Sequence, residues 1–407
     1  MKYINRVLES EILKYLDDKE IIAIIGPRQS GKTTLVKHII SNIKNKKVKQ
    51  ISFDNIFDLE LFENDIDGFI DLNVRNYDIL FIDEIQYSKQ SGKRLKYIYD
   101  NNDIKIFISG SSSIDISVES LKYLVGRIFV FTLYPFNFYE FLLAKDENLA
   151  EIFKNGKIGD SLHTKLLKYL DEFIKFGGFP RVVLENSIEK KKTILQNIFQ
   201  TYIMKEIKEI FSIKNDFKIF NLMKILSFQE GNLISYEELA THTEINRNVL
   251  KEYLNILEKA FIIKLVHSFY TNKRLEIIKS PKLYFLDSGL RNIVNDFTLS
   301  GSIYENFVFT EMLKKGIELK YWRTKSKAEI DFVYEKRNEL IPIEVKTKLT
   351  KPKITKSFYS FIKKYKPKLG YILSRDFEKL ENVNNCKVIF STFVKFLQNN
   401  GLWYWRK

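Results

Sequence analysis

Residues 20–33 read Glu-Ile-Ile-Ala-Ile-Ile-Gly-Pro-Arg-Gln-Ser-Gly-Lys-Thr. The first six make a short, isoleucine-rich apolar run of strand length, and residues 34–43, TLVKHIISNI, place Leu35, Val36, Ile39 and Ile40 at helical spacing. Between them stands Gly-x-x-x-x-Gly-Lys-Thr, in the strand-to-helix context where glycines let backbone N–H groups turn inward around phosphates. The helix N-terminus adds its dipole to that anion cradle. The spacing therefore predicts ATP held by Gly26, Pro27, Arg28, Gln29, Ser30, Gly31, Lys32, Thr33 and Thr34. Lys32 is expected on the β- and γ-phosphates, and Thr33 on Mg²⁺.

Such a loop needs an acidic strand end beside it. Residues 79–84 read Ile-Leu-Phe-Ile-Asp-Glu, four apolar residues suited to a buried parallel strand and then two carboxylates. Asp83 is expected to hold Mg²⁺ directly or through water, and Glu84 to orient and deprotonate the attacking water. A third apolar run, IKIFISGSSS at 104–113, ends in small polar residues. Ser109 is the candidate for reading the γ-phosphate or positioning the water, with Ser111 as the competing choice. Arg127, before the strand-like IFVFTLYPF, is a candidate for neutralising charge during phosphoryl transfer, from its own chain or from a neighbouring subunit. A homo-oligomer and a protein partner both stay open on that reading.

The stretches GPRQSGKTTL, FIDEIQ, ISGSSS and the GR-then-LYPF segment resemble a prokaryotic family of AAA-type ATPases with a C-terminal domain of unassigned role. GGFP (177–180), KLYFLDSGL (282–290), YENFVFTEML (304–313) and YWRTKSKAEIDFVYE (321–335) extend the resemblance over nearly the whole chain. It implies an AAA-like nucleotide domain and ATP as ligand, and it supports a sensing role for Ser109 and a functional one for Arg127. It supplies no physiological substrate.

The 407 residues suffice for two to four domains, and 45% hydrophobic content with 14% aromatics excludes global disorder. No apolar run reaches the roughly 18–20 residues of a membrane span. The charged first twenty residues lack a signal-peptide core, so a cytoplasmic protein is expected. A single cysteine, Cys386, excludes an internal disulfide and a cysteine-based zinc site. The net charge is +15, and residues 301–407 hold 23 Lys+Arg against 11 Asp+Glu, so that quarter carries +12 of it. A polyanionic partner such as DNA is expected there, against the plainer reading of solvated lysines.

Residues 135–230 alternate apolar and charged residues at helical spacing, as a helical lid would, with a tight turn at GGFP. Over 217–270 the pattern is helix (217–228), a helix capped by Ser235 with Glu238, then a helix RNVLKEYLNILEKA whose Val249, Leu250, Tyr253, Leu254 and Leu257 are expected on one face. Strands FIIKLVHSFY and LEIIKSPKLYFL around Asn272-Lys273 complete a winged helix-turn-helix, used for DNA or for protein contact. Asn246, Arg247, Asn248 and Lys251 would start the recognition helix.

Further on, Glu305 falls on an expected helix (SIYENFVFTEMLKKG) with an apolar stripe of Ile303, Phe307, Val308 and Met312. Asp331 falls on an expected strand YWRTKSKAEIDFVYE, and Glu344 and Lys346 lie two apart on the strand LIPIEVKTK after a turn at 336–338. The order Glu, then Asp-x12-Glu-x-Lys, resembles a PD-(D/E)xK nuclease fold. In that chemistry Glu305, Asp331 and Glu344 would bind Mg²⁺, and Lys346 would orient the nucleophile or stabilise charge on the phosphorane. The stretch 351–368 has seven lysines, no acids and interleaved aromatics, whose spacing favours packing over base stacking.

The expected architecture is α/β throughout. It comprises an AAA-like P-loop NTPase core with a parallel sheet (1–145), a helical lid (146–215), a winged helix-turn-helix (216–295) and a C-terminal α/β restriction-endonuclease-like domain (296–407). The expected function is a Mg²⁺-dependent ATPase coupled to DNA, with metal-dependent cleavage by the last domain as one outcome. The alternative is a nucleotide-switched DNA- or protein-binding regulator without nuclease activity.

Overall fold

The computed structural model describes residues 3–111, 121–202, 216–272, 274, 276, 279–298 and 301–398. Ser112 and Ser113 of the ISGSSS run and Lys273 of the expected turn lie outside that set. The chain gathers into two units. One comprises residues 1–136 with 179–181 and 259–261, and the other 137–178, 182–258 and 262–407.

The first unit is built on five parallel strands, β1 (Ile21–Ile25), β2 (Val48–Ser52), β3 (Ile79–Asp83), β4 (Lys105–Gly110) and β5 (Ile128–Thr132), in the order β2-β3-β4-β1-β5. Every residue of β1 is buried, as a central parallel strand covered on both faces requires. Helix Lys32–Ser41 lays Leu35, Val36, Ile39 and Ile40 into a core with Ile22, Ile24, Phe81 and Phe107. Strand register is flush: Ile25 lies opposite Gly110 and Thr132, and Ser52 opposite Asp83. The segments leaving β1, β3 and β4 therefore emerge on one C-terminal edge, where open α/β sheets bind ligands.

In the second unit, helices Phe138–Lys145, Glu147–Asn155, Asp160–Phe176 and Ile188–Ile198 come first. The GGFP turn has a specific partner. Gly177 adopts φ +74°, and a Cβ there would lie 2.1 Å from Asp287 Oδ1, while Gly178 N–H donates to Asp287 Oδ2 at 2.7 Å. Asn292 Nδ2 then donates to the carbonyls of Ile174 and Lys175 at the end of helix Asp160–Phe176, both at 2.9 Å. The motifs GGFP and LDSGL thus close on each other, which explains why both need glycine.

Helices Asp216–Phe228, Tyr236–Thr243 and Arg247–Lys259 follow, with the Ser235 side chain accepting from Glu238 N–H at 3.3 Å. Two expectations change here. Leu250, Leu254 and Leu257 are buried, but Val249 is exposed and Tyr253 only half-buried, so the apolar face is narrower than its pattern. The two expected strands shrink to an antiparallel pair, β6 (Ile263–Val266) and β7 (Lys282–Phe285), and residues 274 and 276 are helical.

The C-terminal part is a mixed six-stranded sheet in the order β12-β13-β11-β10-β9-β8. Its strands are β8 (Lys320–Arg323), β9 (Glu329–Lys336), β10 (Glu339–Val345), β11 (Leu369–Ser374), β12 (Lys379–Val383) and β13 (Cys386–Thr392). The single strand expected over 321–335 is in fact two, β8 and β9, because Thr324 folds a turn back onto Ala328 and Lys327 sits at φ +65°. The turn expected at 336–338 is a two-residue hairpin loop, Arg337 and Asn338, both at positive φ, with Lys336 already paired to Glu339. Helix Ser302–Lys314 is buried well beyond the expected stripe, taking in Asn306, Phe309, Thr310 and Glu311. Its polar members are satisfied: Asn306 Oδ1 accepts from Phe285 N–H and the Glu311 carboxylate from Phe138 N–H. On helix Lys356–Tyr365, Phe358 and Phe361 are core residues and Tyr365 packs on Phe269 and Trp322, so of these aromatics only Tyr359 is exposed.

Candidate functional site

The loop after β1 is shaped by its glycines. Gly26 has φ +149°, and a Cβ there would lie 2.2 Å from the Leu133 carbonyl oxygen. Gly31, at φ +96°, caps helix Lys32–Ser41, leaving that helix's first N–H groups toward the loop. Lys32 is buried, and its Nζ donates to the loop's own carbonyls, Gly26 O and Pro27 O, each at 3.0 Å. Thr33 Oγ1 donates to Asp83 Oδ2 at 2.7 Å, and Ser109 Oγ hydrogen-bonds the other oxygen, Oδ1. Lys32, Thr33, Asp83 and Ser109 are therefore brought together from the loop helix, β3 and β4.

Glu84 follows with φ +55°, a left-handed conformation that costs a non-glycine residue of order 1–3 kcal/mol and recurs at functional sites. Gln86 Nε2 donates to the Glu84 carboxylate and to Ser111 Oγ (3.1 Å), and Gln86 Oε1 accepts from Ser111 N–H. Ser109 thus contacts Asp83 while Ser111 reaches Glu84 through Gln86, so the two competing serines sit on different acids. Arg28 Nη2 donates to Tyr87 OH at 2.8 Å.

Arg127 is not part of this arrangement within its own chain. Its carbonyl accepts from Ile21 N–H, at the start of β1, whereas the loop leaves the far end about 13 Å on at strand rise. Its guanidinium pairs with Asp100 at 2.8 Å and lies over Tyr99, and this pairing holds the Asp100 carboxyl below its ordinary value. Arg6, by contrast, had no motif to announce it. It is buried, donates to Ser30 O at 2.8 Å and Tyr134 O at 2.6 Å, and lies 4.8 Å from the Phe136 ring, so it clamps the loop from behind.

The residues fit Mg-ATP. A hydroxyl and a carboxylate already paired are hard oxygen donors of the kind Mg²⁺ takes, and the Lys32 ammonium rests on loop carbonyls that a phosphate can replace.

The C-terminal carboxylates form a second cluster. Register Ile343 opposite Phe332 places Glu344 across from Asp331 at its next step. Lys346 Nζ pairs with Glu344 Oε1 at 2.7 Å, Thr355 Oγ1 donates to Glu344 Oε2 at 2.8 Å, and Val345 N–H donates to Asp331 Oδ2 at 2.7 Å. Glu305 accepts from Lys282 Nζ at 3.0 Å and from Tyr284 OH. Burial and the neighbouring Asp331 push Glu305 up to about 7, and burial raises Asp331 and Glu344 as well. Lys282 is buried, which disfavours its charge, yet Glu305, Asp331 and Glu329 hold the ammonium above its ordinary range. The cluster does not converge as the sequence pattern led one to expect: among the described residues no three His, Cys, Asp or Glu side chains are placed to hold a metal ion. Lys282, Glu329 and Tyr284 were not singled out by the sequence pattern. The signal available was a lysine opening the otherwise apolar strand KLYF.

Comparison with known proteins follows this division. The AAA domain family matches residues 18–142, and two domains of unknown function, DUF8612 and DUF4143, match 167–300 and 300–394. A protein of Methanocaldococcus jannaschii, Uncharacterized protein MJ1544, is 31% identical over 362 residues, covering 84% of this chain and 77% of that one. The chain belongs to the same family. An uncharacterized protein of Haemophilus influenzae is 26% identical over 82% of this chain and 84% of its own length. Among solved structures, the Walker-type ATPase PABY2304 of Pyrococcus abyssi aligns over 72% of this chain and 96% of its own, at 15% identity and a TM-score of 0.48. The AAA domain match and the parallel sheet with its phosphate loop make the first unit an AAA-type P-loop NTPase fold. Among the described residues, no helix is long and apolar enough to cross a membrane.

Proposed function

We propose that this chain binds ATP with Mg²⁺ at residues 26–34 and hydrolyses it, with DNA as the partner that couples to turnover. The observation that carries the reading is the meeting of Lys32, Thr33, Asp83 and Ser109 at one sheet edge. On this reading the Lys32 ammonium leaves the carbonyls of Gly26 and Pro27 for the β- and γ-phosphates. Thr33 and Asp83 would hold Mg²⁺, which supplies charge neutralisation on the phosphates when bound. Ser109 keeps the Asp83 carboxylate oriented. Glu84, steadied by Gln86, takes the proton of the attacking water. Arg127 can serve this chemistry only from a neighbouring subunit.

DNA is proposed from charge and exposure. Asn246, Arg247, Asn248 and Lys251 lie exposed at the start of helix Arg247–Lys259, although Arg247 pairs with Glu237 at 3.0 Å. The +12 of residues 301–407 suits a polyanionic partner. For the C-terminal sheet we infer a nuclease-like fold, supported by Asp331 on β9 facing Glu344 and Lys346 at the end of β10. A second reading, a nucleotide-switched binding protein that does not cleave, is favoured by the internal ion pairs that its carboxylates already make.

Equilibrium binding of a fluorescent ATP analogue tests the first claim. Lys32→Ala is expected to weaken binding by at least about tenfold, since it removes a charge-assisted phosphate contact. Equal affinity in both proteins would place the nucleotide elsewhere, or nowhere.

A further inference from the structure

The carboxylate cluster of the C-terminal sheet already contains a cation. Lys282, on β7, has only 2% of its side chain exposed, and its Nζ sits 3.0 Å from Glu305 Oε1 and 2.7 Å from Glu329 Oε1. The second Glu329 oxygen accepts from Arg323 Nη1 at 2.9 Å. Tyr284, two residues along β7 and fully buried, gives its hydroxyl to the same Glu305 oxygen as Lys282. One short strand therefore delivers both the charge and a further donor to Glu305. On the other side, Asp331 Oδ2 is taken by Val345 N–H, and both Glu344 oxygens are taken by Lys346 and Thr355.

We propose that Lys282 is the resident cation of this cluster, standing where the nuclease-like pattern calls for a divalent metal, and that the domain binds its ligand without metal and without cleaving it. The inference rests on the nuclease-like reading of Glu305, Asp331, Glu344 and Lys346. A buried ammonium must keep its carboxylates, because losing them leaves an uncompensated charge in a poorly solvated site. A divalent ion drawn to Glu305 and Asp331 would meet that ammonium at close range, where repulsion is little screened. Lys282 cannot swing aside easily: β7 is hydrogen-bonded to β6, with Lys282 opposite Val266, and its own side chain is enclosed. One oxygen each of Glu305 and Glu329 is thus committed to an internal lysine, one of Asp331 to a backbone N–H and both of Glu344 to Lys346 and Thr355, a set that does not fit a resident Mg²⁺. What remains to face a ligand is the half-exposed Lys346 and the exposed Lys348, Lys351 and Lys353 that follow it in the chain, which suits a phosphate backbone held by charge alone.

The test is Mn²⁺ binding to the nucleotide-free full chain, read by water-proton relaxation and by the shift in thermal midpoint. Wild type, Asp331→Asn, Lys282→Met and the double variant are compared, all with residues 26–34 and Asp83 intact, so any ion at the phosphate loop contributes equally. Wild type and Asp331→Asn are expected to be indistinguishable. Lys282→Met, an apolar change of similar volume, is expected to gain a site at least about tenfold tighter than anything in wild type, lost again on adding Asp331→Asn. Mn²⁺ should then raise its thermal midpoint and leave that of wild type unmoved. Asp331-dependent Mn²⁺ binding in wild type would overturn the proposal while leaving the nuclease-like reading standing. A folded Lys282→Met protein that gains no site would overturn both. Should Lys282→Met fail to fold, the comparison of wild type with Asp331→Asn still decides.

Discussion

At the residue scale, the site depends on a few positions that tolerate no substitute. Gly26→Ala would place a methyl group 2.2 Å from a backbone oxygen at a φ that L-residues avoid, so it should destabilise the first unit by roughly 2–4 kcal/mol. Denaturant unfolding would check this, and an unchanged midpoint would mean the loop is not held as described. Buried acids give a second expectation. Burial pushes Glu230 up to about 8, against the pull of Arg291 and with the Glu305 charge adding to the rise, whereas its ordinary value is 4.5. The folded chain therefore binds a proton over a window in which the unfolded chain has lost it. The contribution of this group to stability is expected to fall as pH climbs from about 5 to 8. Glu230→Gln, which cannot ionise, should flatten that slope in thermal midpoints taken across the window, and an equally steep slope would show that other groups carry it. Placement on local motifs was readable: Thr33 and Asp83, read from their spacing, meet in the fold. Arg6, Gln86 and Lys282 were not, since each acts on a group distant in sequence or through a side-chain geometry that no local period records.

At the element scale, pattern read type well and extent poorly. The run EIIAII became β1, and helix Asp216–Phe228 matched its period, because burial on both faces or on one stripe leaves a direct trace in sequence. The segment YWRTKSKAEIDFVYE read as one strand because Thr324–Lys327 contains no glycine or proline to mark its turn. Helix Ser302–Lys314 read as half-buried because its Asn306 and Glu311 look like surface residues until their backbone partners are known. On helix Arg247–Lys259 the exposed Val249 leaves a start that is open to a ligand. Arg247→Ala is expected to weaken duplex DNA binding and to lower the log–log salt slope by about one. An unchanged slope in a titration of salt would assign this helix to protein contact.

At the scale of the whole molecule, the two units carry different chemistry. On the proposed reading the first unit binds the nucleotide through the meeting of Lys32, Thr33, Asp83 and Ser109, with Arg6 on the loop, and the second unit meets DNA. If they act together, ATP must bind more tightly to one conformational state of the chain than to another, and DNA must share that preference. The reciprocal effect is that DNA accelerates turnover or alters nucleotide affinity. ATP hydrolysis by the purified chain, with and without duplex DNA and beside Glu84→Gln, tests this most directly. The account predicts turnover that rises with DNA and falls by about 10² or more in the variant, in line with the loss of a general base. Turnover that persists in Glu84→Gln, or that ignores DNA in the wild type, would contradict it.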